Sequence, residues 1–137
     1  MSEPFDGTTL LDLARSARDL AYAPYSRFQV GAALQTTDGS VFAGCNVENA
    51  AYGLCNCAER TALFSAIAAG YKPGDFIAIA VIADTPEPVT PCGSCRQVLA
   101  ELCLGDMPVL LANTAGARRQ TTVGSLLPEG FRLAPSA

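Results

Sequence analysis

The sequence predicts a three-layer α/β/α fold around a mixed, roughly five-stranded sheet, and three observations support this. Extended and helical patterns alternate from Phe28 to Ala112, which implies a sheet with helices packed on its faces. Phe76 to Ala83 is almost continuously apolar, as a strand covered on both sides must be. The last extended stretch follows its predecessor too closely for a parallel crossover, so it must return antiparallel. The chain has 137 residues, 50% of them hydrophobic and 16% charged, enough apolar material for one core and too little length for two domains. Residues 1–137 therefore read as a single domain, with a folding unit over 8–131 and no repeat or linker.

Thr9 to Tyr22 reads as an amphipathic helix with Leu10, Leu13, Ala14, Ala17, Leu20 and Ala21 on one face. Asp12, three residues after Thr9, suggests a capping box, and Pro24 ends the helix. Phe28–Gln35 and Val41–Val47 are extended, joined through Thr37-Asp38-Gly39-Ser40, whose Asp-Gly pair is a hairpin signal. Cys57 to Ala69 is a second helix, stopped by Gly70. The strand Phe76–Ala83 follows, then a helix from Cys92 to Leu104 ending at Gly105, a buried strand at Val109–Ala112 and a final strand near Arg119–Val123.

Composition excludes several functions. Net charge is −4, and the only basic cluster is Arg118-Arg119, which opposes a polyanionic partner such as RNA or single-stranded DNA. No apolar run approaches the ~20 residues of a membrane span. The opening Met1-Ser2-Glu3-Pro4 lacks the basic-then-apolar layout of a secretory leader, so a cytoplasmic protein is expected. There is no histidine, which rules out a Ser-His-Asp triad, a Cys-His pair and any imidazole metal ligand.

Six cysteines stand at 45, 55, 57, 92, 95 and 103. With an adequate core and no export signal, reduced thiols are favoured over a disulfide framework. Cys92-Gly93-Ser94-Cys95 alone would fit a thioredoxin-type redox pair, but that does not explain Cys57 beside Glu59. Cys57 and the Cys92/Cys95 pair each open a predicted helix that follows a strand. Two helix N-termini would then converge where ligands collect in an open α/β sheet, favouring thiolates. Three thiolates around one Zn2+ ion leave a fourth position open, as in catalytic zinc sites. Glu59 is near enough to move a proton without being a ligand, and Arg60 is placed to offset the excess sulfur charge. A structural zinc remains the bland alternative, with Cys45 or Cys55 as fourth ligand. Cys103 reads as a small buried hydrophobe.

Cys57-Ala58-Glu59 with Pro91-Cys92-Gly93-Ser94-Cys95 resembles the signature of zinc-dependent nucleoside and nucleobase deaminases. The blocks Tyr22–Ala33, Gly44–Tyr52, Cys55–Ala62 and Leu126–Phe131 are similar to those of the small homotetrameric cytidine deaminases, so the likeness covers nearly the whole chain. The resemblance implies zinc on Cys57, Cys92 and Cys95, with Glu59 as proton shuttle. It also implies Phe28 against the nucleoside, Asn46 and Glu48 on the ribose hydroxyls, and the Ala58 backbone on the pyrimidine. Tyr52 and Phe131 would reach a neighbouring subunit's pocket in a homotetramer. The implied reaction is hydrolysis of cytidine and 2′-deoxycytidine at C4, with release of ammonia, in pyrimidine salvage.

Without that resemblance, Asn46 and Glu48 would be taken as solvent-facing on one side of a strand, Phe28 as core, and Arg60 as a surface residue. Competing functions are deamination of a modified cytosine nucleoside (the blasticidin-type enzymes), editing of a polynucleotide, and a zinc-stabilised assembly module.

Overall fold

The computed structural model describes residues 5–133; the Met1–Pro4 stretch considered for a leader lies outside them. The elements are α1 (Gly7–Arg18), β1 (Val30–Thr36), β2 (Val41–Cys45), a 3-10 turn (Tyr52–Leu54), α2 (Ala58–Ala68), β3 (Phe76–Ala83), α3 (Gly93–Leu102), β4 (Pro108–Asn113), β5 (Arg118–Thr122) and α4 (Val123–Leu126). The sheet has five strands in the order β2-β1-β3-β4-β5. β1 pairs antiparallel with both β2 and β3, β3 and β4 are parallel, and β5 returns antiparallel to β4. The mixed α/β architecture is the one expected.

Alternation along the strands divides the core into two layers. Ala32, Leu34, Ile79, Val81, Val109 and Leu111 face α2 and α3, meeting Ala62, Leu63, Ala66 and Leu99. Ala33, Ala78, Ala80, Ile82, Leu110 and Ala112 face α1, meeting Leu10, Leu11 and Ala14. Each fully buried leucine or isoleucine here is worth roughly 1.5–3 kcal/mol. Helices approach closely where the strands are smallest. A Cβ at Gly31 would fall on the Ala14 carbonyl oxygen, and one at Gly44 on that of Ala58.

The first helix departs from its expected limits. Asp6 caps it, Oδ1 accepting from the amides of Thr8 (3.0 Å) and Thr9 (3.3 Å), so the Thr9/Asp12 box does not form. It ends at Arg18 rather than Tyr22, and Leu11 is buried while Leu13 and Leu20 are exposed. The earlier start sets which residues face the sheet, and Tyr22 leaves the helix to bridge Val47. Three other ends move inward by two residues: β1 begins at Val30, β2 stops at Cys45 and α3 stops at Leu102. The short α4 and the 3-10 turn lack a periodic signal and were not expected.

Candidate active site

Because β2 and β3 each run antiparallel to β1, they are parallel to one another, and their carboxyl ends share an edge with the start of β1. α2 follows β2 and α3 follows β3, so both helices point their N-termini at that edge. Cys57 is the N-cap of α2 and Cys92 the N-cap of α3, and neither side chain makes a capping bond to its helix. The connection into α2 is held from both sides. Val47 exchanges two 2.9 Å backbone bonds with Asn56, whose Nδ2 donates to Thr61 Oγ1 (3.1 Å), and Thr61 Oγ1 donates to the Cys45 carbonyl (3.0 Å).

The Sγ atoms of Cys57, Cys92 and Cys95 all lie within 4.8 Å of one another, with Cys57 and Cys92 separated by 3.8 Å. Zn–S bonds of ~2.3 Å in a tetrahedron place sulfurs ~3.8 Å apart, so the donor set fits zinc in number, chemistry and spacing. The trio runs from the interior to the surface, Cys95 being buried and Cys92 exposed. Arg60 Nη2 donates to Cys57 Sγ at 3.3 Å. Hydrogen bonding from Cys95, joined by the Arg60 guanidinium, lowers the Cys57 thiol to about 5 against the opposing effect of burial. The Cys95 thiol moves up, because its proton is shared with Cys57 and because it is buried. The lowered Cys57 thiol favours the thiolate, the form that metal binding requires. Among the described residues no fourth cysteine, carboxylate or histidine joins the group. Cys55 instead receives the Asn49 amide at 3.3 Å. Cys45 is half-buried, and burial raises its thiol. Cys103 is buried, its thiol pushed up to about 12 by burial.

Glu59 is 5% exposed in the first turn of α2, and burial, then the negative charge of Cys57, raises its carboxyl above the ordinary value. It opens onto a cleft of about 200 Å³ lined by Phe28, Asn46, Cys57, Ala58 and Cys92, together with Val30, Val81 and Val89. Five expected site residues besides Glu59 therefore meet in one place. Phe28 is exposed, not core as its residue type alone would suggest. Asn46 fixes its approach: Oδ1 accepts from the Val30 amide (2.8 Å) and Nδ2 donates to the Phe28 carbonyl (2.7 Å). Each amide atom keeps a second bonding position for a ligand.

Glu48 lies in an adjoining hollow with Tyr25, Ser26, Tyr52 and Cys55. Its Oε1 accepts from the amides of Tyr25 (3.0 Å) and Ser26 (3.1 Å), and Oε2 accepts from the Ser26 hydroxyl. These donors, the Ser26 hydroxyl first, lower its carboxyl. Tyr52 is 76% exposed and Phe131 65%, the latter alongside α3, where Gln97 Nε2 donates to its carbonyl (3.4 Å). The valines of the cleft were missed because a valine in a strand signals only burial. Ser26 and Tyr25 were missed because their contact with Glu48 spans more than twenty residues.

Comparison with known proteins agrees with this geometry. The family model described as the cytidine and deoxycytidylate deaminase zinc-binding region matches residues 6–126. A cytidine deaminase of Halalkalibacterium halodurans is 58% identical over 126 residues, covering 92% of this chain and 94% of the relative. One from Sporosarcina psychrophila is 53% identical, covering 92% and 91%. The crystal structure of cytidine deaminase from Burkholderia pseudomallei superposes with a TM-score of 0.91 at 60% identity, covering 93% of this chain and all of the other.

Proposed function

The chain belongs to the cytidine and deoxycytidylate deaminases, and from that premise we propose how its own residues carry out the reaction. It is a zinc-dependent hydrolase that deaminates cytidine. The observation that carries the assignment of roles is Glu59, a buried carboxyl two residues from a thiol trio with no fourth protein ligand among the described residues.

Cys57, Cys92 and Cys95 would hold the ion. When bound, zinc supplies Lewis acidity that makes water a competent nucleophile near neutral pH. The raised carboxyl of Glu59 suits a group that must both take and return a proton. It receives the proton from the attacking water and delivers it to N3 of cytosine, which draws electrons from C4. The water oxygen bonds to C4; Glu59 then takes the second proton from that oxygen and passes it to the amino group, the C4–N bond breaks, ammonia leaves, and the C4 carbonyl of uridine remains. The Ala58 backbone contacts the pyrimidine, Phe28 covers the nucleoside, and Asn46 and Glu48 bind the ribose hydroxyls. Arg60 spreads the charge of the sulfurs so that three of them do not quench the ion.

The substrates are cytidine and 2′-deoxycytidine, in a salvage role in the cytoplasm, with residues 1–137 acting as one domain. Among the described residues no helix is long and apolar enough to cross a membrane. A homotetramer, with Tyr52 and Phe131 reaching neighbouring pockets, is supported by the exposure of both rings. The cleft itself is smaller than the ~300–1,000 Å³ usual for a small-molecule site. Metal analysis combined with ammonia release from cytidine and 2′-deoxycytidine tests the assignment. One zinc per chain and turnover of both nucleosides are expected; four sulfurs on the metal by X-ray absorption, with no exchangeable water, would overturn it. Light scattering tests the tetramer.

A further inference from the structure

Cys57 and Cys92 reach the trio by different routes. Cys57 ends a segment locked by backbone pairing to Val47. Cys92 ends the connection Thr85-Pro86-Glu87-Pro88-Val89-Thr90-Pro91, which contains three prolines. Prolines have no amide hydrogen, so such a segment is rich in acceptors and poor in donors. Among the described residues, 85–91 make no backbone–backbone hydrogen bond. Side chains hold the segment instead. Asn113 Nδ2 donates to the Pro86 carbonyl (3.0 Å), far from the cysteine. At the cysteine end all the donors come from one group: Arg96 gives Nε to the Pro91 carbonyl (2.7 Å), Nη2 to Thr90 Oγ1 (2.6 Å) and Nη1 to the Leu126 carbonyl (2.9 Å).

We infer that Arg96 is a positioning residue for the metal centre, fixing Cys92 by clamping the Thr90 hydroxyl and the Pro91 carbonyl to the start of α3 and to the end of α4. The inference rests on the zinc assignment above. The guanidinium reaches three acceptors in three directions at once, all through the atoms of one rigid plane. A lysine keeps the charge but cannot span them. Arg96 sits one turn after Cys92 in α3, its amide bonded to the Cys92 carbonyl (2.9 Å), so helix and loop are tied on both sides of the ligand. Arg60 and Arg96 thus support the trio in different ways, one by touching a sulfur and the other by holding the backbone that carries a sulfur.

The test is zinc transfer from the loaded protein to a chromophoric chelator. Arg96→Lys is expected to release metal on the order of tenfold faster or more, in the range seen when groups supporting a ligand are removed. Thr90→Val, which deletes one acceptor, accelerates release less, and adds nothing in the Arg96→Lys background because both act through one contact. Arg132→Gln is the structural control. It strips the Nε bond to Ala100 (2.7 Å) and the Nη2 bond to Cys103 (2.9 Å) at the other end of the same helix. It is expected to lower the thermal midpoint without changing release. Release at the parent rate from both Arg96→Lys and Thr90→Val would overturn the inference, as would equal acceleration by Arg132→Gln. Failure of the parent protein to hold zinc would instead overturn the zinc assignment.

Discussion

Two carboxyl groups stand at opposite ends of the β1/β2/α2 unit and are treated in opposite ways. Glu59, in the first turn of α2, is buried near the Cys57 sulfur and its carboxyl is raised, by burial first. Asp38, in the β1–β2 hairpin, accepts from Thr36 Oγ1 (2.5 Å), the Ser40 amide (3.1 Å) and the Tyr71 hydroxyl (2.7 Å), and its carboxyl is lowered, Thr36 contributing most and Tyr71 next. The hairpin end has its polar groups satisfied. At the other end Arg60 Nε is buried with no partner. A donor left open beside a raised carboxyl and three thiols marks an end whose bonding is completed by ligands, while the hairpin end is complete by itself.

Four experiments break or sharpen this contrast, taken from the largest effect downward. Glu59→Gln removes the proton carrier but not the thiols, so turnover should fall by about 10²- to 10⁴-fold. Zinc content should stay at the parent value, and the thermal midpoint should not fall, since an ionised buried carboxylate opposes folding. Near-normal turnover would show that another group moves the proton. Arg60→Gln removes the bond to Cys57 and should weaken zinc retention or activity by about 10- to 100-fold, which equilibrium dialysis and steady-state kinetics would measure. Parent values in both would remove Arg60 from the metal's support.

Gly44→Ala acts between the two ends, because the added methyl would enter the Ala58 carbonyl and push α2 off the sheet. A stability loss of about 1–3 kcal/mol is expected from such overpacking, read from urea unfolding; unchanged stability would mean that α2 tolerates a shifted seat. Asp38→Asn should leave turnover alone and alter only the pH dependence of stability. The lowered carboxyl stabilises the fold above its unfolded value of 3.8, and that contribution disappears as the pH falls through the folded value. The thermal midpoints of the parent and the variant should therefore differ near neutral pH and converge in strong acid. A difference that persists in acid would assign the effect to packing of the turn, not to charge.

The legibility of these regions from sequence follows the range of the interactions. β3 has the bounds expected for it, Phe76–Ala83, because a strand buried on both faces must be apolar throughout. The three cysteines and Glu59 were legible because helix starts are local signals and the motif spacing is short. The limits of α1 were not. Asp6, Thr9 and Asp12 are all plausible caps in a linear reading, and only the seat on β1 and β3 decides that Leu11 is buried and Leu13 exposed. The exposure of Phe28 was equally hidden, since Asn46, eighteen residues away, holds its backbone at the cleft.

By itself, then, the amino-acid order determined the α/β class, the antiparallel return of β5, the exclusion of histidine chemistry, and a trio of sulfurs with an acid beside it. These rest on composition, periodicity and contacts a few residues apart. Only the tertiary structure decided that the trio closes to within 4.8 Å, that Asn46 shares the cleft with Glu59 while Glu48 occupies the hollow alongside, and that Arg96 clamps the segment carrying Cys92. Such contacts join distant parts of the chain. Their geometry is set by how the strands register and the helices seat, and no local pattern of residues encodes it.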